Sequence, residues 1–472
     1  MPLSSKDHSL LIGVGVGISL EIMRRLLWHN LRSVAKKRGL AVAATQEAGG
    51  GVVKESTIRL MTRLAIQHGA VNLSQGFPNE PPPDEMTRAA AADLLGGSSL
   101  ESAAALAGQL ATLSDSGVIT KRQDDRDLLS QYSFPFGLPL LRQELQAYYA
   151  RYYPGLEADA DANLTVVLGA TEGFACTLRT LCSPGDRVVF FEPFHELYPS
   201  QCKLWHLSPR AVTLREQTAS GEWTFDLVEL EAALNGARVL LLNTPHNPTG
   251  KVFTAAELKD IAALCVKYNV MCVTDDIYEH IVFDDLPRVP PHMASQTGME
   301  KRVFLVNSIS KTARATGWRV GWVVSPAEYT TALRGVHDQL VLQAATPLQY
   351  GAAFMLRMPD SFFGQHSLEY AAKRDVLLPA LRSVGFKIAA VPQGAYYIFA
   401  DYTGVKMLSG LSPTEAAMKM TKDVGVACVP GDNFYLSESQ DVRMLSGRYL
   451  RFAFVRSMDL LEQAVIRMRE RM

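Results

Sequence analysis

Short runs of apolar residues alternate with helical patterns along the middle of the chain, from about residue 140 to residue 345. Ala255–Tyr268 has a typical helical pattern. The strand-like runs are nearly continuous in apolar residues, as in strands buried on both faces of a parallel sheet. The sequence therefore predicts an α/β fold with a mostly parallel sheet covered by helices. The predicted strands are Leu164–Leu168, Arg187–Glu192, Arg238–Asn243, Val270–Asp275, Arg302–Asn307 and Arg319–Val324.

Polar residues cluster where five of these predicted strands end. In sheets of this kind, ligands bind beyond the carboxyl ends of the strands. Because five such clusters would meet at one edge of the sheet, they predict a ligand site there. The clusters are Gly169-Ala170-Thr171, Glu192–His195, Asn243–Gly250, Asp275–Tyr278 and Ser308–Lys311.

Beyond about residue 345 the pattern changes to long helices with short strands, such as Ala395–Ala400 and Tyr449–Val455. This change predicts a second, smaller domain at 346–472, to which residues 47–85 contribute. Residues 86–345 would then form the large domain.

Two segments differ in composition from the rest. Residues 96–128 begin with a Gly/Ser run and end in a charged run, and we expect an exposed insert there. Residues 1–46 hold seven basic residues against two acidic ones. Such an arm resembles an organelle transit peptide, which predicts a mitochondrial or plastid location. The alternative is a flexible extension of a cytoplasmic protein. The apolar run Leu10–Leu20 is too short to span a bilayer.

Composition narrows the class of protein. The 472 residues are 47% apolar and 20% charged, which excludes a mainly disordered or fibrous chain. The net charge of −1 gives no overall attraction to nucleic acid or to an anionic membrane. The six cysteines contain no CxxC pair, so a reducing compartment is expected. The ten histidines lack metal-ligand spacing, so no metal site is predicted.

One lysine has unusual neighbours. Lys311 follows a predicted buried strand, three residues after Ser308 and eight before Arg319. A lone lysine at a strand end is usually a solvated surface residue. Here the serine and the arginine suggest phosphate ligands around an amine that could form a Schiff base.

Three further groups of residues could bind a ligand through polar atoms. Asp275 ends an apolar strand, and its carboxylate could form an ion pair with the ring nitrogen of a ligand. Tyr278, three residues later, could reach a phenolate oxygen of the same ligand. The alternative for Asp275 is a helix N-cap. Prolines and a glycine around Asn247 could turn its amide inward, or simply form a turn. At Ala170 and Thr171 a strand enters a helix, where backbone N–H groups can bind phosphate.

Together these groups resemble the fold-type I pyridoxal-phosphate aminotransferases of class I/II, and most of all the kynurenine aminotransferase and glutamine transaminase K group. The resemblance runs from about Thr57 to the C-terminus, interrupted by the insert. It implies a large domain around a mostly parallel seven-stranded sheet and a smaller α+β domain. Its most specific segments are Leu73–Pro78, Asn243–Gly250, Ser308–Gly321 and Tyr449–Phe452.

The resemblance implies a role for each residue at the cofactor, pyridoxal 5′-phosphate. Lys311 would bind it as a Schiff base and later move a proton to and from the substrate Cα. Asp275 would keep the pyridine nitrogen protonated. Asn247 and Tyr278 would hydrogen-bond its phenolic oxygen. The phosphate ligands would be Ala170, Thr171, Ser308 and Arg319.

The resemblance also implies substrate contacts and an assembly. Arg451 would bind the substrate α-carboxylate, assisted by Asn247 and the backbone of Gly76. Tyr132 would reach the phosphate of the neighbouring subunit, so a homodimer is expected. His195 occupies the place of an aromatic residue that covers the cofactor ring. Arg314 and the insert are two other departures from the family pattern, and neither removes a catalytic group.

The predicted reaction moves an amino group from an L-amino acid to a 2-oxo acid, with donors of the kynurenine, glutamine, aromatic or methionine type. Cysteine-conjugate β-lyase activity is an alternative, because the same carbanion serves both reactions. A catalytically silent protein that keeps the fold is another alternative. The presence of the following residues argues against a protein without catalytic activity: Lys311, Asp275, Asn247, Arg319 and Arg451.

Overall fold

The computed structural model describes residues 57–74, 83, 85–86, 133–284, 286–287, 289–436 and 439–472. The predictions for residues 1–46, for the insert at 96–128, for Gly76 and for Tyr132 lie outside the described residues. Residues Thr57–Met472 group into one compact unit. The division of that unit into a large and a small domain near residue 345 stays a prediction.

Fourteen strands and thirteen helices lie within the described ranges. The strands are β1 Val71–Asn72, β2 Leu164–Val167, β3 Arg187–Glu192, β4 Ser208–Thr213, β5 Arg215–Gln217, β6 Glu222–Thr224, β7 Val239–Asn243, β8 Met271–Asp275, β9 Val303–Ser308, β10 Gly321–Val324, β11 Tyr397–Asp401, β12 Val426–Ala427, β13 Val429–Pro430 and β14 Tyr449–Ala453. The helices are α1 Thr57–His68, α2 Pro139–Tyr152, α3 Ala170–Leu181, α4 Leu197–Leu204, α5 Leu227–Leu234, α6 Ala255–Tyr268, α7 Ile309–Thr312, α8 Ala327–Leu340, α9 Thr346–Leu356, α10 Asp360–Ser383, α11 Pro413–Lys419, α12 Gln440–Ser446 and α13 Met458–Arg471.

Seven strands form the central sheet, in the order β2-β10-β9-β8-β7-β3-β4. All neighbours pair in parallel except β10, which is antiparallel to both β2 and β9. The strands β2, β7, β8, β9 and β10 are buried at every position, as expected for a sheet covered on both faces. The predicted α/β fold with a mostly parallel seven-stranded sheet is confirmed.

Most predicted boundaries agree with the structure to within two residues, and α6 agrees at both ends. A capping box between Thr254 and Glu257 starts α6, and Asn269 ends it in a left-handed conformation. The strand predicted from Arg319 begins instead at Gly321, because Arg319 has a φ of 55° and ends a 3₁₀ turn. The edge strand β4 escaped prediction, since its first four residues alternate between exposed and partly buried positions.

A second group of strands lies outside the central sheet. Strands β11, β14 and β13 form an antiparallel sheet, and β1 pairs with β12 in parallel. Their apolar side chains share a core with α10 and α13, including Tyr396, Phe452 and Leu461. The register of β11 and β14 places Phe399 opposite Arg451, so this sheet fixes the position of a predicted site residue.

No helix in the described part of the chain combines the length and apolar character needed to cross a membrane. All six cysteines are buried free thiols. The structure therefore holds no disulfide between them.

Candidate active site

The carboxyl ends of β7 and β8 are tied together by one asparagine. Asn243 donates its side-chain N–H to the backbone oxygen of Asp275 at 2.8 Å. Its side-chain oxygen accepts the backbone N–H of Asn247 at 2.7 Å. The loop that carries Asn247 is therefore held beside Asp275, and Asn247 is buried there.

Asp275 is buried, and its two carboxylate oxygens differ in their hydrogen bonding. Tyr198 donates its hydroxyl to Oδ2 at 2.7 Å. Oδ1 is buried and has no hydrogen-bond partner among the described residues. Burial is the main cause that raises the pKa of Asp275 to about 7, with Asp276 adding to the shift. A cationic N–H donor at Oδ1 would satisfy this oxygen and favour the ionised carboxylate.

Lys311 lies in the short helix α7, which begins where β9 ends. Ser308 caps that helix, since its Oγ accepts the backbone N–H of Ser310 at 3.3 Å. Burial lowers the pKa of Lys311 to about 8; Asp275 opposes this shift, whereas Arg319 and Arg451 add to it. A buried amine with a depressed pKa is the form of lysine that acts as a nucleophile or a base.

A narrow cradle forms where β2 turns into α3. Gly169 has a φ of 78° and precedes the first turn of α3, at Ala170 and Thr171. The guanidinium of Arg319 is so close that a Cβ on Gly169 would lie 2.5 Å from Nη2. Pairing of Gly321 with both Ser308 and Val167 brings the capping serine to the same place. A helix N-terminus beside a guanidinium and a serine forms an anion site.

Arg451 is fully buried and only partly satisfied. Nη1 donates to Oδ1 of Asn247 and Nη2 donates to the backbone oxygen of Ser74, both at 2.9 Å. Nε is buried and meets no hydrogen-bond partner within the part of the chain that the structure describes. Because a buried guanidinium is costly unless it is paired, the arrangement calls for an anion such as a carboxylate.

Two other predicted residues line the same site. Tyr278 is buried, which raises the pKa of its phenol well above the ordinary value and keeps it protonated. Burial lowers the pKa of His195 to about 3, and the charges of Arg451 and Lys311 lower it further. His195 is therefore neutral, and its Nδ1 accepts the backbone N–H of Leu197 at 3.3 Å.

The structure thus brings the predicted site residues to one edge of the sheet, with Gly76 and Tyr132 outside the described residues. The residues brought together are Ala170, Thr171, His195, Asn247, Asp275, Tyr278, Ser308, Lys311, Arg319 and Arg451.

Four contributors received no individual role from the sequence: Asn243, Tyr198, Tyr397 and Ser74, which acts through its backbone oxygen. Asn243, Ser74 and Tyr397 lie in the segments Asn243–Gly250, Leu73–Pro78 and Ala395–Ala400 named above, and Tyr198 lies three residues after His195. Ser74 and Tyr397 contact residues far away in sequence, so no local pattern indicates these contacts.

Arg314, one of the departures from the family pattern, contacts helix α10. Arg314 forms an ion pair with Glu369 on α10. Its guanidinium carbon also lies 5.9 Å from the ring centroid of Tyr370 on the same helix. The arginine therefore attaches the lysine loop to α10.

Comparison with known proteins identifies the family. The sequence model of the family described as "Aminotransferase class I and II" matches residues 102–465, more than half of the chain. The chain belongs to this family. Human kynurenine–oxoglutarate transaminase 3 is 30% identical to this aminotransferase over 433 residues, which is 85% of each chain.

Solved structures agree with the family. The N-succinyldiaminopimelate aminotransferase of Mycobacterium tuberculosis superposes with a TM-score of 0.76 at 29% identity, covering 88% of this chain and 96% of that one. YbdL of Escherichia coli, described with a methionine aminotransferase function, gives 0.74 at 26% identity, covering 90% and 99%. The aminotransferase is thus a transaminase by family and fold, and its family implies pyridoxal phosphate as the cofactor.

Proposed function

We propose that this aminotransferase transfers the amino group of an L-amino acid to a 2-oxo acid, using pyridoxal phosphate bound at the carboxyl edge of the central sheet. The observation that carries the proposal is a pair of buried atoms for which the described ranges offer no hydrogen-bond partner, Oδ1 of Asp275 and Nε of Arg451. Both residues interact electrostatically with Lys311. Oδ1 of Asp275 can accept a cationic N–H donor, Nε of Arg451 can donate to an anion, and the amine of Lys311 interacts with both residues. These features match a pyridine ring N–H and an amino-acid carboxylate.

The residues present fit pyridoxal phosphate. The cradle of Arg319, Ser308 and the α3 N-terminus suits its phosphate, and Oδ1 of Asp275 suits its ring N–H. Asn247 and Tyr278 would hold its phenolic oxygen, and Lys311 its aldehyde carbon. When bound, the cofactor supplies a protonated ring that delocalises the electron pair released at the substrate Cα.

The chain's own residues supply the remaining chemistry. Arg451 binds and orients the substrate α-carboxylate through its guanidinium. Lys311 accepts the proton from the substrate Cα and returns it, because its depressed pKa makes the neutral amine available near neutral pH. Burial of these groups excludes water from the reacting atoms and strengthens their interactions.

The names of relatives support a substrate class. The similar proteins are named as transaminases of kynurenine and N-succinyldiaminopimelate, and one similar structure is described as a methionine aminotransferase. We propose kynurenine, glutamine, methionine or an aromatic amino acid as the donor and a 2-oxo acid as the acceptor.

The proposal can be tested by measuring the turnover of cofactor-loaded protein with a panel of amino acids and 2-oxo acids. Product formation that requires both partners is the expected result. Pyruvate release from a cysteine conjugate without any oxo acid would instead indicate the lyase reaction, and no turnover with any pair would contradict the proposal.

Capture of pyridoxal phosphate by the cofactor-free protein is expected to accelerate as the pH rises toward 8. Only the neutral amine of Lys311 reacts with the aldehyde, and burial lowers its pKa to about 8. The neutral fraction therefore appears at a lower pH than for an ordinary lysine, whose pKa is about 10.4. Stopped-flow absorbance across a pH series measures the rate. A midpoint near 10 would contradict the prediction.

His195→Phe is expected to retain cofactor and activity, whereas His195→Ala loses cofactor affinity. A neutral imidazole and a phenyl ring both offer a flat surface to the cofactor ring. The loss on truncation is about 1 kcal/mol, or roughly fivefold in dissociation constant. Equilibrium titration of both variants with pyridoxal phosphate measures it. An unchanged constant in His195→Ala would place the imidazole away from the ring.

We propose that the active unit is a homodimer, in which Tyr132 of each subunit completes the phosphate site of the other. Support comes from the family resemblance of the segment around Tyr132. Sedimentation analysis of the purified protein should then give twice the mass of the 472-residue chain.

We also propose that residues 1–46 direct the protein to mitochondria or plastids, on the strength of their basic, acid-poor composition. A reporter fused to these residues is expected to enter one of these organelles, as fluorescence microscopy would show. Deleting them should leave catalysis unchanged. A reporter that stays in the cytoplasm would contradict the targeting role.

A further inference from the structure

Tyr397, on β11, touches two groups of the proposed site at once. Its hydroxyl oxygen lies 3.0 Å from the hydroxyl oxygen of Tyr278. The guanidinium carbon of Arg451 lies 4.4 Å from the centroid of its ring. All three side chains are at least 98% buried. One residue therefore contacts both the tyrosine assigned to the cofactor and the arginine assigned to the substrate.

We propose that Tyr397 is a positioning residue that directs the hydroxyl of Tyr278 toward the cofactor and supports the guanidinium of Arg451 for the substrate. The inference rests on the proposed function, because it assigns Tyr278 to the phenolic oxygen and Arg451 to the carboxylate.

The hydroxyl of Tyr397 acts on Tyr278. Burial raises the pKa of both phenols, so each keeps its proton at neutral pH. Only one proton can lie between the two oxygens. When Tyr397 donates that proton, the proton of Tyr278 is left to donate to a ligand oxygen. Hydrogen bonds in such a chain polarise and strengthen one another.

The ring of Tyr397 acts on Arg451. The guanidinium also lies 4.9 Å from the ring centroid of Phe434, so two aromatic rings contact it. Hydrogen bonds to Asn247 and Ser74 occupy one proton each of its terminal nitrogens. The rings limit its tilt, since a cation is attracted to an aromatic face.

Two substitutions separate these actions. Tyr397→Phe removes only the hydroxyl, and Tyr397→Leu removes the ring as well. The readouts are the pH midpoint of the visible absorbance of the cofactor-loaded protein, and the separate values of kcat and KM for the amino acid. Tyr402→Phe is the matched control, because its buried hydroxyl bonds the backbone oxygens of Leu411 and Gly447 instead.

Tyr397→Phe is expected to move the absorbance midpoint to higher pH by roughly 0.3 unit, since a weaker donor at Tyr278 stabilises an anionic phenolic oxygen less. Its KM should stay within about twofold of the wild-type value, because the ring remains. Tyr397→Leu should show the same shift and also raise KM roughly tenfold. Tyr402→Phe should change neither quantity.

An unchanged midpoint in Tyr397→Phe would overturn the hydroxyl link, and an unchanged KM in Tyr397→Leu would overturn the support of Arg451. A midpoint shift in Tyr402→Phe as large as that in Tyr397→Phe would also overturn the link. Failure of the proposed function looks different: the wild-type protein would then bind no pyridoxal phosphate, and no variant would need to be compared.

Discussion

Replacing Lys311 with alanine is expected to abolish transamination while leaving the fold and much of the cofactor affinity intact. The ε-amine is the group that would hold the cofactor covalently and move the Cα proton. The cradle around Arg319 and the Asp275 carboxylate are untouched by the change. Steady-state turnover and the visible spectrum of the loaded variant measure the two effects.

Lys301→Ala is the matched control, because Lys301 is an exposed lysine just before the opposite end of β9, the strand that leads to Lys311. It should retain full activity. Near wild-type turnover in Lys311→Ala would refute the assignment of the catalytic lysine.

Replacing Arg451 with alanine is expected to damage substrate use far more than cofactor binding. Loss of a buried, forked charge pair costs about 2 kcal/mol or more, so kcat/KM for every amino acid should fall at least roughly 30-fold. Arg451→Lys should not restore it, because an ammonium cannot donate two parallel hydrogen bonds. The cofactor dissociation constant should change little. Kinetics with several donors and a cofactor titration measure both quantities.

Arg448→Ala serves as the control for Arg451, since Arg448 lies just before the same strand and pairs with Asp401 outside the site. It should keep kcat/KM near the wild-type value. If Arg451→Ala left this constant unchanged for every amino acid, the carboxylate would have to bind elsewhere.

The sequence predicts the central sheet and most of the site because both are encoded locally. A strand buried on two faces is a continuous apolar run, and the residues at its carboxyl end follow it directly, as Asp275 and Lys311 do. The left-handed backbone conformation of Arg319, by contrast, was not predicted from the sequence. The guanidinium of Arg319 packs beside Gly169, about 150 residues away in sequence, and a local pattern, which contains no such contact, indicated a strand instead.

Contacts between distant segments mark the limit of such prediction. Ser74 and Arg451 lie 377 positions apart, and Tyr278 and Tyr397 lie 119 apart. The residues that flank each member of these pairs in sequence do not indicate that the two members are in contact. The edge strand β4 shows a related limit, because its partly exposed pattern differs from that of the buried strands.

Asn243 pairs with Asp275 at the carboxyl ends of β7 and β8, and this register constrains the length of both strands. A codon gained or lost within either strand would shift its register and turn every following side chain to the other face. Lengthening the turn after α6, where Asn269 leads into β8, leaves the register of both strands unchanged. A residue added there is therefore expected to cost far less stability than one added within β7 or β8.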